Sequence, residues 1–179
     1  MLVDLRKLLL TICMLGVLLP HNAMAKDNIE KTGDVLQFLI PTVGYGATWY
    51  LDDKEGRSSF YKSISTNIAA TCIIKYAVNR KRPNGGRHSF PSGHTSVAFQ
   101  GAAFIHKRYG LEYALGAYAG AAFVGYSRVY TDKHYTSDVI VGAALGIASS
   151  FYFTTEYKGC IIKPTLDDNK FGISISKIW

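Results

Sequence analysis

Between Lys75 and His94 the chain reads KYAVNRKRPNGGRHSFPSGH, setting Lys75, Arg80, Lys81, Arg82 and Arg87 beside Gly85 and Gly86 and closing on Pro91-Ser92-Gly93-His94. These are residue types that hold an oxyanion. Arginine offers a planar fork of donors matching phosphate oxygens, and lysine adds a compact charge. Gly93, lacking a Cβ, lets its N–H approach an anion closely, and Ser92 adds a hydroxyl and a second N–H. A helix beginning near His94 turns its free N–H groups and positive dipole end to the same spot. The same composition also suits a solvated basic loop between two helices, so the stretch alone leaves both readings open.

Further along come Arg128, His134 and Asp138. At the start of a helix, His134 and Asp138 share a face, and the carboxylate can accept a hydrogen bond from one ring nitrogen. That fixes the tautomer and frees the other nitrogen to attack, as a histidine nucleophile requires. Arg128 completes a cage around the phosphoryl oxygens. His94, with a reference pKa of ~6.5, suits a general acid for the departing alkoxide and, in a second step, a base for water. Arg80, Lys81 and Arg87 read as solvated or near head groups, and His88 as an exposed loop histidine.

Helices must bring these residues together. Residues 26–34, KDNIEKTGD, read as a polar leader, followed by helices over Val35–Leu51, Ser58–Asn79, His94–Tyr109, Leu111–Gly125 and Tyr135–Thr155. Pro41 and nearby glycines predict a first helix that bends or packs closely. Small residues in the fourth helix (Ala114, Gly116, Ala119, Gly120, Ala121) and the fifth (Gly142, Ala143, Ala144, Gly146) permit close helix contact. The expected fold is all-α, an antiparallel bundle of about five helices. In such a bundle the 80–93 and 126–134 loops lie at the same end. The tail, 158–179, reads as a small C-terminal β-hairpin with Phe171, Ile173 and Ile175 alternating on one face.

Ahead of the bundle, Arg6 and Lys7 precede the apolar run Leu8–Leu19, and Ala23-Met24-Ala25 has the small-x-small form of a cleavage site. Residues 1–25 therefore read as a secretory signal, with an uncleaved N-terminal anchor as the alternative, and 26–157 as the helical domain. Cys72 and Cys160 then remain. They allow one disulfide without requiring it and form no metal pattern, and Cys72 is expected to be buried. The net charge of +7 favours anionic partners. Secretion leaves no nucleic acid among them. The longest charge-free runs, 35–51 and 139–155, sit at the lower edge of the ~17–25 residues a spanning helix uses. A bilayer bundle and a soluble all-α domain both fit.

Lys75, six residues, then Arg82-Pro83; Pro91-Ser92-Gly93-His94; and Ser127-Arg128, five residues, His134, three residues, Asp138 together resemble the type 2 phosphatidic acid phosphatase family, which shares its fold with class A acid phosphatases and vanadium haloperoxidases. The resemblance covers about residues 35–155. It implies that Lys75, Arg82 and Arg128 bind phosphate, that Ser92 and Gly93 line the pocket, and that His94 is the general acid. It further implies that His134 is the nucleophile oriented by Asp138, and that no metal or other cofactor is needed. The expected function is hydrolysis of a phosphomonoester or diphosphate of a membrane lipid through a phosphohistidine, in the periplasm or at the inner membrane facing it. Phosphatidic acid, phosphatidylglycerol phosphate, undecaprenyl diphosphate and lipid A all present the same group to such a cage. The alternatives are a soluble broad-specificity periplasmic acid phosphatase, a vanadium haloperoxidase, and a non-catalytic module binding anionic lipid.

Overall fold

The computed structural model of the chain describes residues 26–157, 160–167 and 170–177. The expected signal segment, 1–25, lies outside the described residues. Five helices follow in order: α1 (Lys26–Tyr50), α2 (Lys54–Val78), α3 (Gly93–Tyr109), α4 (Leu111–Tyr130) and α5 (Thr136–Phe153). Strands β1 (Cys160–Asp167) and β2 (Lys170–Lys177) pair antiparallel, from Cys160 opposite Lys177 to Asp167 opposite Lys170.

The helix ends follow from local chemistry. Asp53 caps α2, its carboxylate accepting the Gly56 N–H at 2.8 Å. The helix closes on Asn79 in the left-handed conformation, whose N–H returns to the Lys75 carbonyl. Ser92 caps α3, and Gly110 ends it. Two boundaries differ from the sequence reading. The polar stretch 26–34, expected as a leader, is the start of α1, because its charged side chains find partners: Lys26 pairs with Asp132 (2.6 Å), Glu30 with Lys133 (3.0 Å) and Asp34 with Arg128 (2.8 Å). Helix α4 runs past the expected Gly125 to Tyr130, since Ser127 and Arg128 face the interior and continue its buried stripe.

Helix α3 is central and packs against each of the other four. Its alanines meet α1 and α4 in a core of Ile40, Ala98, Ala102, Ile105, Ala114, Ala117, Ala121 and Val124. Phe60, Phe104, Ala47 and Tyr109 form a second cluster. Helix α5 lies close on α3 because a Cβ at Gly146 would stand 2.3 Å from the Ser96 carbonyl oxygen. Polar side chains bind this interior as well: Gln100 Nε2 donates to Ser63 Oγ (2.9 Å), Ser96 Oγ to Asn67 Oδ1 (2.7 Å) and Ser150 Oγ to the Gln100 carbonyl (2.7 Å).

Outside, the bundle presents large apolar side chains, among them Val35, Phe38, Ile68, Ile73, Leu115 and Ile140. Cys72, expected to be buried, is exposed on α2, because that apolar stretch turns part of itself outward. Among the described residues, Thr136–Phe153 is the helix long and apolar enough to cross a membrane. The 79–92 and 131–135 loops meet at one end, where Asn84 N–H donates to the Asp132 carbonyl (3.1 Å) and Ser92 N–H to the Asp138 carbonyl (2.9 Å).

Candidate active site

At that end every expected site residue comes from a helix terminus or from the loop that follows one. Lys75 sits in the last turn of α2 and Arg82 in the following loop. Ser92, Gly93 and His94 make the N-terminus of α3. Arg128 lies in the last turn of α4, His134 just after it, and Asp138 at the third position of α5. Helix ends suit this work because their backbone groups are unsatisfied and their side chains are held by a rigid rod.

The Lys75 ammonium donates to the carbonyls of His88 (3.0 Å) and Pro91 (2.6 Å), leaving one N–H for a ligand. Arg82 is braced by Nε donating to the Arg87 carbonyl (3.1 Å), and among the described residues its two Nη groups bond no protein atom. The Phe90–Pro91 peptide is cis and leads into the buried cap residue Ser92. The Ser92 hydroxyl lies 3.0 Å from Thr95 Oγ1, so it is engaged with the first turn of α3.

The His134–Asp138 pair differs from the expected hydrogen bond. His134 Nδ1 stands 3.6 Å from Asp138 Oδ2, beyond bonding distance, and this buried nitrogen has no partner. Asp138 is already occupied. Its Oδ1 accepts from Arg80 Nη1 (2.9 Å), and its Oδ2 accepts from the Ser89 hydroxyl and the Tyr135 N–H (3.0 Å), capping α5. Arg80, read from the sequence as solvated, is therefore part of the site. It also donates to Ser137 Oγ (2.8 Å), and its guanidinium lies 4.2 Å from the centre of the Tyr135 ring.

Burial and then the charges of Lys75 and Arg82 push the His134 imidazole down to about 4, outweighing the Ser89 backbone and Asp138, which act the other way. His134 is thus the free base across the neutral range, with a lone pair beside two cations. His94, in the first turn of α3, is also pushed below its ordinary value, by burial and by Arg128.

Arg128 is 3% exposed, and three of its nitrogens are taken: Nε donates to Ser127 Oγ (3.1 Å), Nη1 to Asp34 Oδ1 (2.8 Å) and Nη2 to the Glu30 carbonyl (2.8 Å). Asp34 Oδ1 also lies 3.2 Å from His94 Nε2. Asp34 and Arg80 are the site residues that sequence reasoning missed. Among the described residues, no three His, Cys, Asp or Glu side chains converge as a metal-ligand set.

Comparison with known proteins follows the same residues. The family model described as PAP2 superfamily matches residues 67–159, more than half of the chain. A lipid A 1-phosphatase of Porphyromonas gingivalis is 44% identical over 77 residues, covering 41% of this chain and 17% of the relative. A lipid A 1-phosphatase of Helicobacter pylori is 30% identical over 78 residues, covering 44% of this chain and 41% of the relative. The chain thus spans less than half the length of each. The crystal structure of Aquifex aeolicus LpxE aligns with 80% of this chain and 92% of its own, at TM-score 0.56 and 23% identity, which is a likeness of fold.

Proposed function

The chain belongs to the PAP2 superfamily, and on that premise we propose that it is a phosphatase removing a phosphoryl group from a membrane lipid through a phosphohistidine on His134. The carrying observation is the buried free-base imidazole of His134 standing with Lys75, Arg82 and His94 at one end of the bundle.

The phosphoryl oxygens bind the free N–H of Lys75, the Nη groups of Arg82, the N-terminal N–H groups of α3 at Gly93 and His94, and the remaining N–H positions of Arg128. His134 Nε2 attacks phosphorus while its Nδ1–H faces Asp138, whose negative charge favours the cation that forms. The P–O bond to the lipid breaks, and His94, whose protonated form is favoured by the negative charge of the bound phosphate, delivers a proton to the leaving oxygen. Water then attacks the phosphohistidine. His94 takes the proton, the P–N bond breaks, and His134 is restored.

The names of the relatives put a phosphorylated lipid A first among substrates to test. Exposed Val35, Phe38, Ile73, Leu115 and Ile140, together with Tyr76, Tyr126, Tyr130 and Tyr135 toward the site end, support action at a membrane. The reading of residues 1–25 as a signal would put that action in the periplasm.

The test is phosphate release by the full chain in detergent micelles, with EDTA present. The substrates are lipid A phosphates, phosphatidic acid, phosphatidylglycerol phosphate and p-nitrophenyl phosphate, with His134→Ala in parallel. Release from a lipid, lost in the variant, is expected. Equal turnover of the soluble ester would favour the broad acid phosphatase. Absence of release from all of them would remove the hydrolase reading.

A further inference from the structure

Asp34 belongs to none of the three motif blocks and precedes the residues matched by the family model. One oxygen of its carboxylate accepts from Arg128 Nη1 at 2.8 Å and lies 3.2 Å from His94 Nε2, so it joins the phosphate-binding arginine to the acid histidine. This contact is built into the packing. Gly33 is buried where α1 crosses α4, and a Cβ there would stand 2.2 Å from Ser127 Oγ and 2.8 Å from Arg128 Nη2. Only glycine lets Asp34 and the Glu30 carbonyl come this close. The ion pairs Lys26–Asp132 and Glu30–Lys133 fasten the same two turns of α1 to the loop that carries His134.

Resting on the reading of His94 as the general acid, we infer that Asp34 is a positioning residue for leaving-group protonation, holding the His94 ring by Nε2 and leaving Nδ1 to meet the departing oxygen. An imidazole in the first turn of a helix mouth has two free torsions, and a carboxylate on one nitrogen fixes its plane. The charged groups facing it are Arg128 from α4, Arg82 from the 79–92 loop and Asp34 from α1. Both arginines oppose the imidazolium, and Asp34 is the one that favours it. Arg128 keeps its bonds to Ser127 Oγ and the Glu30 carbonyl whatever stands at position 34, so the phosphate-binding guanidinium stays in place.

The leaving group supplies the test. A lipid alkoxide needs a proton to depart, whereas p-nitrophenolate, with a pKa near neutrality, leaves without one. In Asp34→Asn, kcat on a lipid phosphate should fall about tenfold or more, a fraction of the ~10²–10⁴ that general acid catalysis supplies. For p-nitrophenyl phosphate the first-turnover burst of p-nitrophenolate, which reports the phosphorylation step alone, should stay within about twofold, because no proton is delivered in that step. Asp34→Glu should recover part of the loss. On the lipid substrate alone, the basic limb of kcat should move to lower pH in Asp34→Asn, since removing an anion makes the imidazolium easier to deprotonate. Equal loss on both substrates with an unmoved limb would make Asp34 merely structural and overturn the inference. A lower KM on both, with kcat kept, would overturn it by showing that the carboxylate competes with phosphate. If the unmodified chain releases no phosphate, or His134→Ala releases as much, the phosphatase reading fails and this inference falls with it. A working enzyme indifferent to Asp34→Asn would sink the inference alone.

Discussion

At the end of the bundle away from the site, Arg108 and Asp53 are sealed together. Arg108 donates from Nε and Nη2 to the two Asp53 oxygens at 2.8 and 2.6 Å, and Tyr109 adds its hydroxyl at 3.0 Å. Arg108 Nη1 reaches the carbonyls of Thr155 (2.9 Å) and Glu156 (3.1 Å), which ties the chain after α5 to the end of α3. At the site end the residue types are the same and the outcome is different. Lys75 and Arg82 keep donors free, and His134 keeps a buried nitrogen without a partner. A saturated cluster holds the bundle together, whereas an unsaturated one waits for a ligand. Free cationic donors beside an unpartnered imidazole mark the functional end, whereas the other unpartnered buried atoms among the described residues, on Asn67, Gln100 and Thr154, belong to neutral side chains with no free cation beside them.

The largest effect should come from His134→Ala, which removes the proposed nucleophile. Turnover of a lipid phosphate should fall by at least about 10³-fold. The melting temperature should hold or rise, because an unpartnered buried group goes with it. Arg108→Ala should do the reverse. Leaving the Asp53 carboxylate buried without its cation, with the Gly56 N–H and Tyr109 hydroxyl as its remaining partners, costs about 3–5 kcal/mol, seen as a lower denaturation midpoint, while kcat per folded molecule is kept. If Arg108→Ala abolished activity at full folding, the two ends would not be separable. Arg80→Gln should have a smaller effect, about tenfold on kcat, the scale of one charge-assisted hydrogen bond. It frees the Asp138 carboxylate that stands beside His134.

The smallest and most diagnostic effect concerns pH. His134 titrates at about 4 in the folded chain, so it is a free base above that value and a cation below it. The acidic limb of kcat/KM should lie near that point, well under an ordinary imidazole. Lys75→Met removes a charge that disfavours the imidazolium, so the limb should move to higher pH. Stability should follow the same group. Between about 4 and the ordinary ~6.5 the unfolded chain takes up a proton that the folded chain refuses, so stability falls as pH drops through that window.

Much of the site end was legible because its parts are short and contiguous. Lys75 with Arg82, the Ser92-Gly93-His94 cap, and Arg128 through Asp138 each lie within one segment, and antiparallel packing alone brings the two loops together. Asp34 was not legible. It reaches His94 and Arg128 only through the crossing of α1 over α4, and its surroundings, KDNIEKTGD, are polar enough to read as a leader. A usable signal was present in Asp27, Glu30 and Asp34, which recur at helical spacing and end beside a glycine. Arg80 was passed over because a charge run is ordinarily solvated, and only the fold shows that Asp138 sits under it. The open distance from His134 to Asp138 was also hidden, since spacing along a helix places two residues on one face without closing the gap between them. The exposure of Cys72 has a related cause. An apolar stretch does not say which of its faces is turned outward.

The most direct measurement is chemical trapping. A lipid substrate carrying a radiolabelled phosphate would be mixed with the full chain, quenched in alkali within the first turnover, and the labelled peptide sequenced. An alkali-stable, acid-labile phosphoryl group on His134, absent in His134→Ala, is the expected result. Label on His94, or full turnover with no labelled protein at any time, would contradict it.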